Sequence, residues 1–329
     1  MKRLLNKTVV LASLVVGLML VVFLLPLPYN HDLSAILNKR DLLKDGPGGR
    51  IVFVGGSGLY SALDSPLVEQ RLGRPVRNIG LWAGFGITPV LREIKPYLHA
   101  GDVVIVIPEY GLTYDRYLDV SRKWIFALAP ARNLMPLYGN FPAGLKAFVL
   151  DFIGLVRSKF EALPFAIREA IKNRGLSIFT RGGYVQYRTF FNGNGDSFRI
   201  FPAATSPELI RQRGEDYFSI QEYRDQSLTA LNDFCRDEGG QGVRTALMFP
   251  AYPEEEYRKF RAGLLQYEQR LRNELLCPII GNPEDFLYPY GLFTDTIHHL
   301  GIEGRRMRTE RLIALLQAQP WMRRTASSR

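Results

Sequence analysis

The chain has few of the residues that build metal centres. Its 329 residues include two cysteines and four histidines, and no pair of these has zinc-site spacing. A thiolate metal site is therefore disfavoured, and neither a metal nor another cofactor is expected. Basic charge is scarce where a nucleic-acid binder would need it. The formal net charge is +10, yet residues 1 to 7 carry three of those charges, and residues 304 to 329 hold seven Arg against one Glu. The stretch between is nearly neutral, so no nucleic-acid partner is expected for the folded part. The basic tail suits an anionic lipid or polysaccharide surface, or is a solvated helix end. Internal repeats and low-complexity tracts are lacking, which excludes a solenoid and bulk disorder.

Charge-free runs are rare too, and the long one is informative. From Thr8 to Asn30 the sequence reads TVVLASLVVGLMLVVFLLPLPYN, 23 residues without a charge. At 1.5 Å per residue this covers a hydrocarbon core of roughly 30 Å. The run predicts a membrane-spanning helix. Lys2, Arg3 and Lys7 precede it, so the positive-inside rule keeps the N-terminus in the cytoplasm and sends the remainder outward. A cleaved signal peptide is the rival reading, but the run is long and no A-x-A site follows it. Residues 1–30 are thus read as cytoplasmic N-terminus and anchor, and 31–49 as a polar linker ending in a Gly/Pro turn. Residues 50–316 form the folded domain and 317–329 the basic tail.

Four β-branched runs stand out in that domain: IVFV at 51 to 54, PVRNIG at 75 to 80, DVVIVI at 102 to 107 and VRTALMF at 243 to 249. Helical stretches separate them, as in right-handed βαβ units, and CPIIGN at 277 to 282 supplies a fifth short strand. The expected fold class is α/β, with three α/β/α layers around a mostly parallel sheet. The alternation stops over an insertion at 111–207. There Leu145, Phe148, Val149, Phe152, Ile153, Val156, Phe160 and Leu163 recur at helical spacing. Packing against the core is the expected use of that stripe, with docking at a bilayer surface or lidding of a site as alternatives. The aromatic-rich YVQYRTFFNGNGDSFRIF that follows reads as irregular or hairpin structure able to line a substrate groove. Cys235 and Cys277 can bridge in an oxidising compartment, although spacing alone does not say whether they meet.

The first strand runs into GGSG, which places Ser57 just past its carboxyl end, where ligands bind in an open parallel sheet. Gly55, Gly56 and Gly58 allow a tight turn that exposes the Ser oxygen and brings backbone N–H groups near a developing oxyanion. Such a cluster also marks ordinary turns. A nucleophilic serine needs an imidazole base and a carboxylate to orient it. His31 sits beside the membrane and His99 precedes the third strand, at the wrong end of the sheet. His298 and His299 remain, in LFTDTIHHLGIEGRR, with Asp295 close before them.

The blocks GGSGLYSALDS, RNIGLWAGFG and FTDTIHHLGIEGR, in this order, resemble the SGNH/GDSL hydrolase superfamily. They are most similar to its membrane-anchored members that occur with polysaccharide and teichoic-acid modification systems. The resemblance covers residues 50 to 110 and 240 to 316. It implies a nucleophile at Ser57, a base at His299 in the H-L-x-x-x-G form, and Asp295 as orienting carboxylate. The commoner D-x-x-H spacing points to His298 instead. Oxyanion donors fall on the Gly58 and Gly84 amides. Where the family carries G-x-N-D after the third strand, this chain has IPEYG, which puts Glu109 in place of the Asn. A carboxylate only accepts hydrogen bonds and repels an oxyanion. Either Tyr110 or another residue donates instead, or Glu109 has a different role, or catalysis has been lost. Glu109, Tyr110, Asn78 and Tyr252 are the substrate-binding candidates.

What the resemblance implies is a single-pass protein of the bacterial cytoplasmic membrane with its main domain in the periplasm. Its activity would be a serine esterase or O-acyltransferase on acylated envelope polysaccharide or a small ester. A membrane-bound acyltransferase or a polysaccharide export machinery is the expected protein partner. The alternative is an inactive binding or assembly subunit of such a complex.

Overall fold

The structure is a computed structural model that describes residues 1–24, 31–44, 46–110, 143–172, 191–198 and 226–322. The chain divides into two compact units, Met1–Asn38 with Asp119–Arg188, and Lys39–Leu118 with Thr189–Arg329.

The first unit contains α1 (Lys2–Leu24), the start of α2 (His31–Lys44) and, from the insertion, α6 (Ala143–Lys172). α1 is long and apolar enough to span a membrane. Residues 31–44, read from sequence as a linker, are helical. Polar side chains at α2's end gave no apolar period to read, but Lys39 and Leu43 are both buried.

The second unit is the α/β fold. Its strands are β1 (Ile51–Gly55), β2 (Val76–Gly80), β3 (Val103–Ile107), β4 (Arg244–Met248), β5 (Tyr252–Pro253), β6 (Ile279–Ile280) and β7 (Leu287–Tyr288). Five of them form one parallel sheet in the order β2-β1-β3-β4-β6, and β5 pairs with β7. β1 and β3 are buried throughout. That is why they read as unbroken apolar runs and not as alternating ones. The helices are α3 (Ser57–Ser61), α4 (Ser65–Leu72), α5 (Ile87–Ile94), α7 (Gln226–Gly240), α8 (Glu254–Glu274) and α9 (Ile302–Gln317). The chain steps from β1 to β2 in one direction and from β2 to β3 in the other. Right-handed crossovers then place α4 and α5 on opposite faces. α9 packs with α4 and α7 with α5, giving three layers.

Local signals explain several boundaries. Asp64 caps α4 by accepting the Leu67 N–H at 3.2 Å, and Gly73 ends it in the left-handed region at φ 64°. Glu254, Glu255 and Glu256 form the first turn of α8, as expected from the helix dipole. Cys235 of α7 and Cys277 before β6 form a disulfide with Cα atoms 5.8 Å apart.

At the amino edge of the sheet, Arg50 and Asp102 form a fully buried ion pair at 2.7 Å. Asp102 also accepts the Arg50 and His99 backbone N–H groups, and the guanidinium donates to the Leu43 and Tyr97 carbonyls. Every charge there has its partners.

Candidate active site

At the carboxyl edge, β1 ends at Gly55, and Gly56 in extended conformation turns the chain into α3, whose first residue is Ser57. The second half of the site comes from the loop between the bridged residues Phe293 and Leu300. The Thr294 N–H donates to the His299 carbonyl at 2.8 Å and the Gly301 N–H to the Leu292 carbonyl at 2.7 Å. This narrow loop presents Asp295 and His299 on the same side.

His299 Nε2 lies 2.8 Å from Ser57 Oγ, and His299 Nδ1 lies 2.8 Å from Asp295 Oδ1. A carboxylate can only accept, so Nδ1 carries the proton and Nε2 is left to accept the serine O–H. The Asp295 carboxyl is held down at about 2, first by the hydrogen bond from His299 and further by Thr294. Its side chain is 51 % exposed and that of His299 21 %, whereas Ser57 is 8 % exposed. The open end of the constellation is therefore the carboxylate. His298, the alternative base, turns away and is buried beside Tyr252, with ring centroids 6.4 Å apart.

Glu109 is the second partner of the serine. Its Oε1 lies 3.3 Å from Ser57 Oγ and accepts the Gly58 N–H at 2.6 Å. The Ser57 hydroxyl hydrogen thus has two acceptors, and the imidazole is the nearer. The Gly58 amide, expected as an oxyanion donor, is already engaged by this carboxylate. The glycines of GGSG follow from the same contact. A Cβ on Gly56 would stand 2.4 Å from Glu109 Oε1, and one on Gly58 would stand 2.7 Å from the His298 carbonyl. Neither position admits a larger residue without moving the site.

The other candidates divide. Gly84 lies in the short 3-10 turn Ala83–Phe85 after β2, at the carboxyl edge. Asn78, Tyr110 and Tyr252 have buried side chains. Asn78 is wholly buried, with its amide nitrogen donating to the Leu59 carbonyl and Asp196 and its oxygen accepting the Gly80 N–H. Tyr110 and Tyr252 pack edge-to-face at 5.1 Å inside the core, and burial pushes the Tyr110 hydroxyl well above its ordinary value. Tyr252 lies past β4 as expected, but the side chains of all three are taken up by packing and buried hydrogen bonds.

Two residues with supporting roles were not singled out from sequence. Arg308, counted with the basic tail, is buried, and its Nη1 donates to the Gly58 carbonyl at 2.7 Å. Burial lowers its guanidinium to about 10, opposed by attraction to Tyr288 and Glu109. Its spacing to Leu312 and Leu316, one and two turns on, is the signal that it shares the buried face of α9. Asp196, in NGNGDS, accepts from the Ser65 N–H and hydroxyl, from Asn78 and from Arg305. Residues 191–198 are thereby tied to the back of the site, with Lys39 donating to the Asn78 and Gly195 carbonyls. Arg305 and Arg308 point inward, which corrects the reading of a fully solvated basic end. The rest of the aromatic stretch at 184–190 and 199–201 lies outside the described residues, as do Arg323, Arg324 and Arg329.

Among the described residues, no cluster of three or more His, Cys, Asp or Glu side chains is arranged to hold a metal ion. Fold and site together define a parallel α/β protein with a hydrogen-bonded Ser–His–Asp chain at the carboxyl edge of its sheet. No family model matches this chain, and no curated protein matches it.

Proposed function

We propose that the protein is a membrane-anchored serine esterase or O-acyltransferase of the SGNH type, acting on acylated envelope glycan or a related ester. One observation carries the reading: Ser57, His299 and Asp295 are joined by two 2.8 Å contacts in the order nucleophile, base, orienting carboxylate. Ser57 Oγ attacks the ester carbonyl carbon as its proton passes to His299 Nε2. The C–O bond to the alcohol then breaks, and the alcohol leaves with that proton. Water or a sugar hydroxyl, deprotonated by the same imidazole, releases the acyl group from Ser57. Water makes the protein a hydrolase and a sugar makes it a transferase. The glycan is supplied by analogy with the family that the sequence resembles.

For the tetrahedral oxyanion to reach the Gly58 amide, Glu109 must give up that hydrogen bond. Arg308, fixed on the Gly58 carbonyl, keeps the turn in place while it does so. Lys2, Arg3 and Lys7, in the first turns of α1 ahead of its charge-free run, favour an orientation with a cytoplasmic N-terminus and an outward-facing domain. The Cys235–Cys277 disulfide supports it, because such bonds persist in oxidising compartments. A second reading, an inactive binding or assembly subunit of an acylation or export complex, is favoured by the Glu109 contact with Gly58.

The test is hydrolysis of p-nitrophenyl acetate by the full chain in detergent, compared with Ser57→Ala, His299→Ala and His298→Ala. The esterase reading expects turnover that is lost in the first two variants and kept in the third. Turnover equal in wild type and Ser57→Ala contradicts it and favours the binding subunit.

A further inference from the structure

Half of the stripe expected to pack into the core is exposed, namely Leu145, Val149, Ile153 and Phe160, while Val156 is buried and Phe148, Phe152 and Leu163 are half-buried. On α6, Leu145, Val149, Ile153, Phe160, Ile167 and Ile171 are 40 % to 73 % accessible. At 100° per residue they fall within an arc of roughly 80°, which also holds the buried Val156, while the exposed Leu150 falls outside it on the charged side. The charged Lys146, Arg157, Glu161 and Arg168 occupy a neighbouring face and are exposed as well. The third face carries Phe152, Leu155 and Lys159, and it meets the end of α1. The Phe23 and Phe152 rings stand 5.2 Å apart, and Lys159 Nζ donates to the Phe23 carbonyl and lies 5.5 Å from the Phe23 ring. A soluble helix hides its apolar face and shows its polar ones. Here Lys159 and Asp151 are buried while seven large apolar side chains, among the described residues, are not.

The place of contact identifies what covers that face. α6 docks at the last turn of α1, where a helix leaving the hydrocarbon core enters the headgroup region. An apolar face continuous with a membrane-spanning helix at that depth meets acyl chains, while the adjoining charged face remains among headgroups and water. We infer that α6 lies in the interface of the leaflet from which α1 emerges, its stripe against phospholipid acyl chains. This inference rests on the anchor reading of α1 and is independent of the esterase chemistry.

The test uses full-length protein in phosphatidylcholine and phosphatidylglycerol vesicles, with one nitroxide per variant on an introduced cysteine. Labels at Val149, Ile153, Phe160 and Ile167 are compared with labels at Lys146, Arg157 and Arg168, and with Leu14 in α1. Power saturation then reads collisions with oxygen, which partitions into lipid, and with a nickel chelate, which stays in water. The expected result is oxygen above nickel on the stripe and at Leu14, and nickel above oxygen on the charged face. Stripe labels that meet nickel, or that meet neither reagent because protein covers them, overturn the inference while Leu14 still reports lipid. If Leu14 itself meets nickel, the anchor reading falls and the inference falls with it.

Discussion

The two edges of the parallel sheet are built from the same materials and treat them in opposite ways. At the amino edge, Asp102 is met by a guanidinium and two backbone N–H groups, and Arg50 spends its remaining donors on carbonyls. Nothing there can change partner without leaving a buried charge unsatisfied, so the arrangement can only be structural. At the carboxyl edge, Asp295 is half-exposed and the serine hydrogen is shared between two acceptors. The Gly58 N–H is held by the Glu109 side chain, which also lies against the serine hydroxyl. The difference separates a charge used for folding from one available for chemistry: the first has fixed partners and the second has alternatives.

The largest way to break this contrast is Ser57→Ala. It removes the nucleophile and lowers ester hydrolysis by on the order of 10⁶-fold. The melting midpoint stays close to that of wild type, as circular dichroism would check. Asp295→Asn comes next, with a fall of about 10⁴-fold, because the imidazole loses the partner that fixes its tautomer. The same residue leaves a signature in stability. Its carboxyl is lowered to about 2, so it favours the folded state above the ordinary carboxylate value. That contribution disappears as pH falls through the folded value. Denaturant midpoints between pH 5 and 2 should therefore drop less steeply in Asp295→Asn than in wild type.

At the other edge, Arg50→Met strands Asp102 and costs about 3–5 kcal/mol in urea unfolding. The double variant Arg50→Met with Asp102→Leu recovers much of that loss, while ester hydrolysis per folded molecule is unchanged in both. The smallest expected change has the opposite sign. Glu109→Gln replaces a repelling carboxylate with an amide that can donate, and ester hydrolysis accelerates by up to about 10²-fold, read from kcat. A decrease in rate would instead make Glu109 a participant in catalysis.

Much of this was legible in the sequence. β1 and β3 announced themselves because strands buried on both faces are continuous runs of Val and Ile. Where chemistry sits on a parallel sheet, and the nearby Asp295, narrowed the base for Ser57 to His298 or His299, and the choice of His299 came from the resemblance to the SGNH family. What was not legible depended on side-chain direction. Asn78 lies in mid-strand and Tyr110 and Tyr252 lie past β3 and β4, and the side chains of all three are buried. Arg308 looked like part of a basic tail because charge counting ignores which face of a helix an arginine takes. The α6 stripe has the period of a core helix, and period alone does not say that half of it is left exposed. Glu109 stood out as a departure from the family pattern, but its contact with Gly58 required coordinates.

The most direct test of the central claim is a fluorophosphonate reaction on the folded full chain, with the adduct located by peptide mass spectrometry. A single stoichiometric adduct on Ser57, absent in His299→Ala and present in His298→Ala, is the result expected from an activated serine. No adduct on Ser57 in wild type, with Glu109→Gln equally unreactive, would contradict it and leave the carboxyl edge as a binding surface.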